Sequence, residues 1–233
     1  MKYIFAGDSW ALKGFTEQNH NKGNTEPLPG DVRLADHWPW HYELALAPGK
    51  GNTAVLRQVI KLQSTAPVIW VWTEPGRDFG FYNPTQDPHD WMRTEDLWRL
   101  RKDLTRATLT TIKNTITNPI AFIGGLSDID PELAREFGYT VLCPSWQLWI
   151  ASKLGSKHFT QGWGASDIGW RAHHNGVTPS KAATFAWDEQ IKEWCWWEEC
   201  GYFSHEHPSP RANQEFAEHL QPSVEQWLKQ YEK

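Results

Sequence analysis

A serine and a histidine near opposite ends of the chain are the residues with the most chemistry to offer. Gly7-Asp8-Ser9-Trp10 follows the short apolar run Tyr3-Ile4-Phe5-Ala6, and His207-Pro208 lies far downstream. A serine hydroxyl is a weak nucleophile by itself. It needs a base to take its proton and hydrogen-bond donors for the oxyanion that forms as it attacks a carbonyl. Histidine is the commonest such base. Ser9 with His207 therefore reads as a nucleophile–base pair for acyl transfer, provided that the fold brings the two together.

The elements that must do so alternate between strand and helix. Lys2 to Ala6 reads as the first strand, and a strand ending in Gly-Asp-Ser presents the serine at the carboxyl edge of a sheet, where open α/β proteins place their chemistry. Val68 to Trp72 is the clearest buried strand and Pro75-Gly76 stops it; Ile120 to Ile123 before Gly124-Gly125 is another, and Thr140 to Leu142 a last one. Tyr42 to Leu46 fits a short strand or a helix end. Asn52 to Leu62 has helical spacing after Gly49-Lys50-Gly51, through Val55, Leu56, Val59, Ile60 and Leu62. Further helices are predicted over Thr94 to Thr117, Pro131 to Phe137 with Gly138 as the C′ residue, 181–199 and 209–230. In the last of these Phe216, Leu220 and Val224 share a face. The pattern predicts a single α/β domain over 1–233, a three-layer α/β/α sandwich with a mainly parallel sheet. Residues 11–42 and 155–180 mix Gly, Trp, His and Asn and read as Trp-rich loop insertions, and 79–90 as an aromatic and Pro-rich loop.

Composition narrows the classes. A net charge of -5 and a pI near 6.1 leave no electrostatic footprint for nucleic acid. No apolar stretch reaches membrane-spanning length, and no basic segment followed by an apolar one marks a secretory signal. The three cysteines are an odd number, which argues against a disulfide framework and for a reducing, cytoplasmic setting. The spacing of Cys195, Cys200, His205 and His207 departs from that of structural zinc sites, and Cys195 reads as a small hydrophobe, so no metal and no cofactor is expected. His173-His174 reads as a pair of exposed loop histidines. The 16 tryptophans allow an aromatic core or a stacking surface. Trp10, Trp38, Trp40, Trp163 and Trp170 would wall a cleft for a flat ring if the insertions cover the edge that carries Ser9.

With its first and last motifs, the chain resembles the SGNH (GDSL-like) hydrolase superfamily. Gly7-Asp8-Ser9 matches the first block, and His207-Pro208 the end of the last block, Asp-x-x-His-Pro. Gly51, ahead of a helix, matches the glycine of the second block, whose backbone N–H lines the oxyanion hole. The resemblance implies a three-layer α/β/α fold and an ester or acetyl substrate, with Ser9 and His207 catalytic and the N–H groups of Ser9 and Gly51 holding the oxyanion. The partner is then a small-molecule or carbohydrate ester, with neither nucleic acid nor membrane involved; the sequence does not give the oligomeric state.

Two departures qualify this reading. Ser204 stands three residues before His207, where the family has the acid of its triad. Some members are thought to work with a Ser-His dyad, a backbone carbonyl replacing that acid. The third block normally supplies an Asn to the oxyanion; here Trp72 is followed by Thr73-Glu74-Pro75-Gly76-Arg77-Asp78, and an ionised Glu74 would repel an oxyanion. Asn52 is then the replacement amide donor and Arg77 supplies positive charge, with Trp10, Glu74, Arg77 and Asp78 around the substrate. The alternative is a loop in which Arg77 is salt-bridged to Glu74 or Asp78. Asp8 reads as a structural cap on the turn after the first strand. Thr-Glu-Pro followed by Arg-Asp is similar to a pattern in SGNH-like proteins of phages, chiefly those infecting cyanobacteria. A second function class follows from both departures: a non-catalytic SGNH-fold binding protein of phage origin, with a virion or host-takeover role.

Overall fold

Five segments in which aromatic and aliphatic residues crowd together form one parallel sheet. They are β1 (Lys2–Gly7), β2 (His41–Leu46), β3 (Val68–Trp72), β4 (Ile120–Gly124) and β5 (Thr140–Cys143), in the order β2-β1-β3-β4-β5. The computed structural model describes residues 1–12, 32–73, 75–79, 94–125, 128–153, 185–188, 193–196, 203–204 and 207–232. Strands β3 and β4 are buried at every position. That is why they read as unbroken apolar runs: a parallel sheet under helices on both faces has no wet side.

The helices are α1 (Ser9–Leu12), α2 (Asn52–Lys61), α3 (Thr94–Thr115), α4 (Pro131–Glu136), α5 (Trp146–Lys153) and α6 (Pro210–Lys229), with 3₁₀ turns at Leu34–His37 and Pro75–Phe79. Alternate residues of each strand enter two separate cores. Tyr3, Phe5, Ile69, Val71, Ala121 and Ile123 meet α1, α5, α6 and the first 3₁₀ turn. Ile4, Ala6, Val68, Trp70, Trp72 and Phe122 meet α2, α3 and α4. The result is the three-layer α/β/α sandwich expected from the sequence.

Local chemistry sets the helix ends. Asp130 accepts the N–H groups of Glu132 and Leu133 at 2.9 and 3.1 Å, Pro131 opens α4, and Gly138 beyond it has φ +81°. Ser209 accepts the N–H of Ala212 at 3.2 Å, with Pro210 as the first residue of α6. No helix among the described residues is long and apolar enough to cross a membrane.

One expected element is corrected. Within the helix predicted over 181–199, the described residues instead form an antiparallel pair of strands, β6 (Phe185–Asp188) and β7 (Glu193–Trp196), pairing Phe185 with Trp196 and Trp187 with Trp194. The aromatic residues there alternate with period two, the strand signature. A second short ladder joins β8 (Phe203–Ser204) to β9 (His207–Pro208). Most of the tryptophans that can be placed belong to the cores: Trp38, Trp70, Trp72, Trp146, Trp149 and Trp227 are all buried. Trp163, Trp170 and the His173-His174 pair lie outside the described residues.

Candidate active site

Strand order reverses between β1 and β3, because the chain leaves β1 for β2 on one side and returns to β3 on the other. In doubly wound sheets the crevice outside the carboxyl ends of the strands at such a point is where ligands bind. Here the residues that follow the strand ends are Asp8-Ser9 after β1 and Thr73 after β3. Gly7 permits a tight exit: a Cβ on it would lie 2.6 Å from Cβ of Ala11 and 3.0 Å from Cβ of Val71. Only without a side chain at residue 7 does α1 fold back directly over the end of its own strand.

Asp8, Asn52 and Thr73 are wholly buried at this edge. Asp8 Oδ1 accepts the backbone N–H of Trp10 at 3.0 Å, so its carboxylate straddles Ser9. Its Oδ2 accepts the Thr73 hydroxyl at 2.6 Å and pairs with Nη1 of Arg77 at 3.4 Å. Burial pushes the Asp8 pKa above the usual carboxylate range, against the Thr73 hydroxyl, Arg77 and the Trp10 N–H, which pull it down. Asn52, the first residue of α2, grips the backbone of Thr73 from both sides. Its Nδ2 donates to the Thr73 carbonyl at 2.9 Å, and its Oδ1 accepts from Thr73 N–H at 3.3 Å and Trp70 Nε1 at 3.2 Å.

Gly51 precedes α2 and is buried beneath Asp78. A Cβ on Gly51 would lie 2.7 Å from Cγ of Asp78 and closer still to its Oδ1, so glycine is required for that approach. Asp78 Oδ1 in turn accepts the Thr53 N–H at 2.8 Å, supplying the start of α2 with the acceptor its first turn lacks. Burial raises the Asp78 pKa as well, with the Thr53 N–H opposing it.

The sequence-predicted residues thus converge, with corrections. The loops carrying Ser9, Gly51, Arg77 and Asp78 all meet at the β1/β3 edge. Strand β9, which begins with His207, lies against α1, which begins with Ser9, with backbones within 8 Å from Cα to Cα. His207 is paired across β8–β9 with Ser204. Arg77 is held by Asp8, a partner not foreseen among Glu74 and Asp78; Glu74 itself lies outside the described residues. Asn52 is not an amide facing substrate, because it is fully buried and its carboxamide is turned onto Thr73. Trp10 is a core residue, edge-on to Trp146 at 5.8 Å, and not part of a stacking wall. What the sequence missed is the bond between Thr73 and Asp8; its one local signal is a lone hydroxyl directly after a buried strand.

Elsewhere the chemistry is sparse. Among the described residues no three His, Cys, Asp or Glu side chains are grouped to hold a metal ion. Burial pushes the Cys143 thiol up to about 11, which keeps it protonated and inert, and the thiol donates to the Ser145 carbonyl at 3.4 Å. A cleft of about 450 Å³ opens at the opposite edge of the sheet, between Met1, Lys2, Pro67, Leu228, Tyr231 and Glu232, and no serine, cysteine or histidine lines it.

Among solved structures, the chain is similar to TesA. The likeness to the crystal structure of that protein covers 77% of this chain and 96% of that one, at 11% sequence identity and a TM-score of 0.33. A likeness at that level carries no argument about fold, reaction or substrate. No family model matches the sequence, and no curated protein does.

Proposed function

We propose that this chain is a serine hydrolase acting on the ester or acetyl group of an acylated small molecule or sugar. The observation that supports the reading is the packing of β9 against α1 at the sheet's switch point, since β9 begins with His207 and α1 with Ser9, the base and nucleophile that the motifs pair. In the reaction Ser9 Oγ bonds to the acyl carbon while its proton passes to His207. The tetrahedral intermediate then collapses, and His207 returns that proton to the leaving alcohol. Water, deprotonated by the same histidine, releases the acid and restores Ser9. The backbone N–H groups of Ser9 and Gly51 hold the oxyanion, and the positive charge of Arg77 at the crevice favours it.

An acyl-nitrophenol assay tests this. Ser9→Ala and His207→Ala are each expected to lower kcat/KM by about 10²–10⁴-fold. Rates equal to wild type in Ser9→Ala end the reading, and a wild type with no hydrolysis above background leaves a binding module.

A further inference from the structure

We infer that Asp8 is a positioning residue for Ser9, acting jointly with Thr73; the inference rests on the hydrolase reading above and concerns the same site. Three facts carry it. First, Asp8 brackets the serine: its backbone precedes Ser9 and its Oδ1 takes the N–H of Trp10, the residue after Ser9, at 3.0 Å. Second, the other oxygen reaches across the switch point to the Thr73 hydroxyl at 2.6 Å and to Arg77 at 3.4 Å, so it ties the exit of β1 to the exit of β3. Third, Thr73 is itself immobilised, with both its N–H and its carbonyl bonded to Asn52 at the start of α2. The exits of β1 and β3 and the start of α2 are thereby locked into one buried, hydrogen-bonded unit, with Ser9 next in the chain to Asp8.

A charge is an expensive way to cap a turn. Asn or Ser would satisfy the Trp10 N–H equally well, and a buried carboxylate must offset its lost hydration. What only a carboxylate offers is two oxygens that both accept. One arm serves Trp10, while the other serves Thr73 and Arg77; an asparagine would turn an N–H₂ toward one of them. The cost is therefore accounted for by the link between strands and not by the turn.

The test reads Ser9 reactivity directly, with a fluorophosphonate probe and mass-spectrometric identification of the labelled residue. In that step the Ser9 Oγ–P bond forms as P–F breaks, and the serine proton leaves to the base. Wild type, Asp8→Asn, Thr73→Val and Thr73→Ser are compared for labelling rate and for Tm. Asp8→Asn and Thr73→Val are each expected to slow Ser9 labelling at least about tenfold. The double variant should be no slower than the worse single one, since both remove one link, and Thr73→Ser, which keeps the hydroxyl, should restore most of the rate. If Asp8→Asn does not fold, the Thr73 pair decides alone, because Val is isosteric with Thr. Wild type labelled at Ser9 with Thr73→Val equally fast overturns the positioning role and leaves the hydrolase reading standing. Wild type unlabelled at Ser9 overturns both.

Discussion

Asp8 has a fully buried carboxyl whose pKa burial raises above its ordinary value. The native chain therefore holds that proton to higher pH than the unfolded chain does. By linkage, stability falls as pH rises from the ordinary carboxylate range through the raised value, because the native state binds more protons there. Asp78, raised by the same cause, contributes a slope of the same sign. Asp8→Asn should flatten the decline in urea-unfolding free energy as pH rises above the ordinary carboxylate range without abolishing it, since Asp78 remains; an unchanged slope would show that Asp8 does not contribute to it. None of this was legible from the sequence. Gly7-Asp8-Ser9 marked the site because glycine, acid and serine are contiguous, whereas the partners of Asp8 stand far along the chain at Thr73 and Arg77. Local spacing offered Arg77 two acidic neighbours, and tertiary structure gave it a third. Asn52 was misjudged for the same reason: a polar residue opening a helix looks available until the fold presses it against the end of β3.

At the level of elements, the long periodic segments were readable and the short mixed ones were not. Strand β3 matched its expected bounds and α2, β4, α4 and α6 came within a residue or two, because each buries a regular apolar pattern. The segment containing β7 failed because Glu-Trp-Cys-Trp-Trp satisfies a helical pattern and an alternating one alike, and only pairing with Phe185–Asp188 decides between them. Helix α5 was overlooked, although Trp146, Trp149 and Ile150 stand at helical spacing and are buried. Helix α6 carries an internal conflict of its own: Pro222 lies in its interior, on the exposed side. Proline there removes one helical hydrogen bond and crowds the carbonyl one turn back. Pro222→Ala should stabilise the fold by up to about 3 kcal/mol, read as a higher urea midpoint with unchanged slope. A lower midpoint would mean that proline at this position helps to fit the helix to the sheet.

Across the whole molecule, the strand order gives the two edges of the sheet different work. The carboxyl edge gathers the Ser9 turn, Gly51, Thr73 and Arg77, and its buried polar network is built from residues of three separate loops. The amino edge is ordinary by comparison: its cleft is lined by Lys2, Pro67, Leu228 and Tyr231, and the Tyr231 ring rests on Trp227 at 5.2 Å. A pair of substitutions, one on each edge, separates damage to the fold from damage to the site. Tyr231→Ala removes a half-exposed ring distant in the fold from Ser9, so it should leave fluorophosphonate labelling within about twofold of wild type while lowering Tm by a few degrees. Gly51→Ala drives a methyl group into Asp78 and displaces the backbone N–H assigned to the oxyanion. It should cost stability too, but with a loss of labelling on the order of 10²-fold, as removal of an oxyanion donor does. The informative quantity is labelling at matched stability, measured at temperatures where each variant is fully folded. Equal labelling losses in the two variants would mean that any disturbance of the sheet silences Ser9, and the carboxyl edge would then have no special claim to the chemistry.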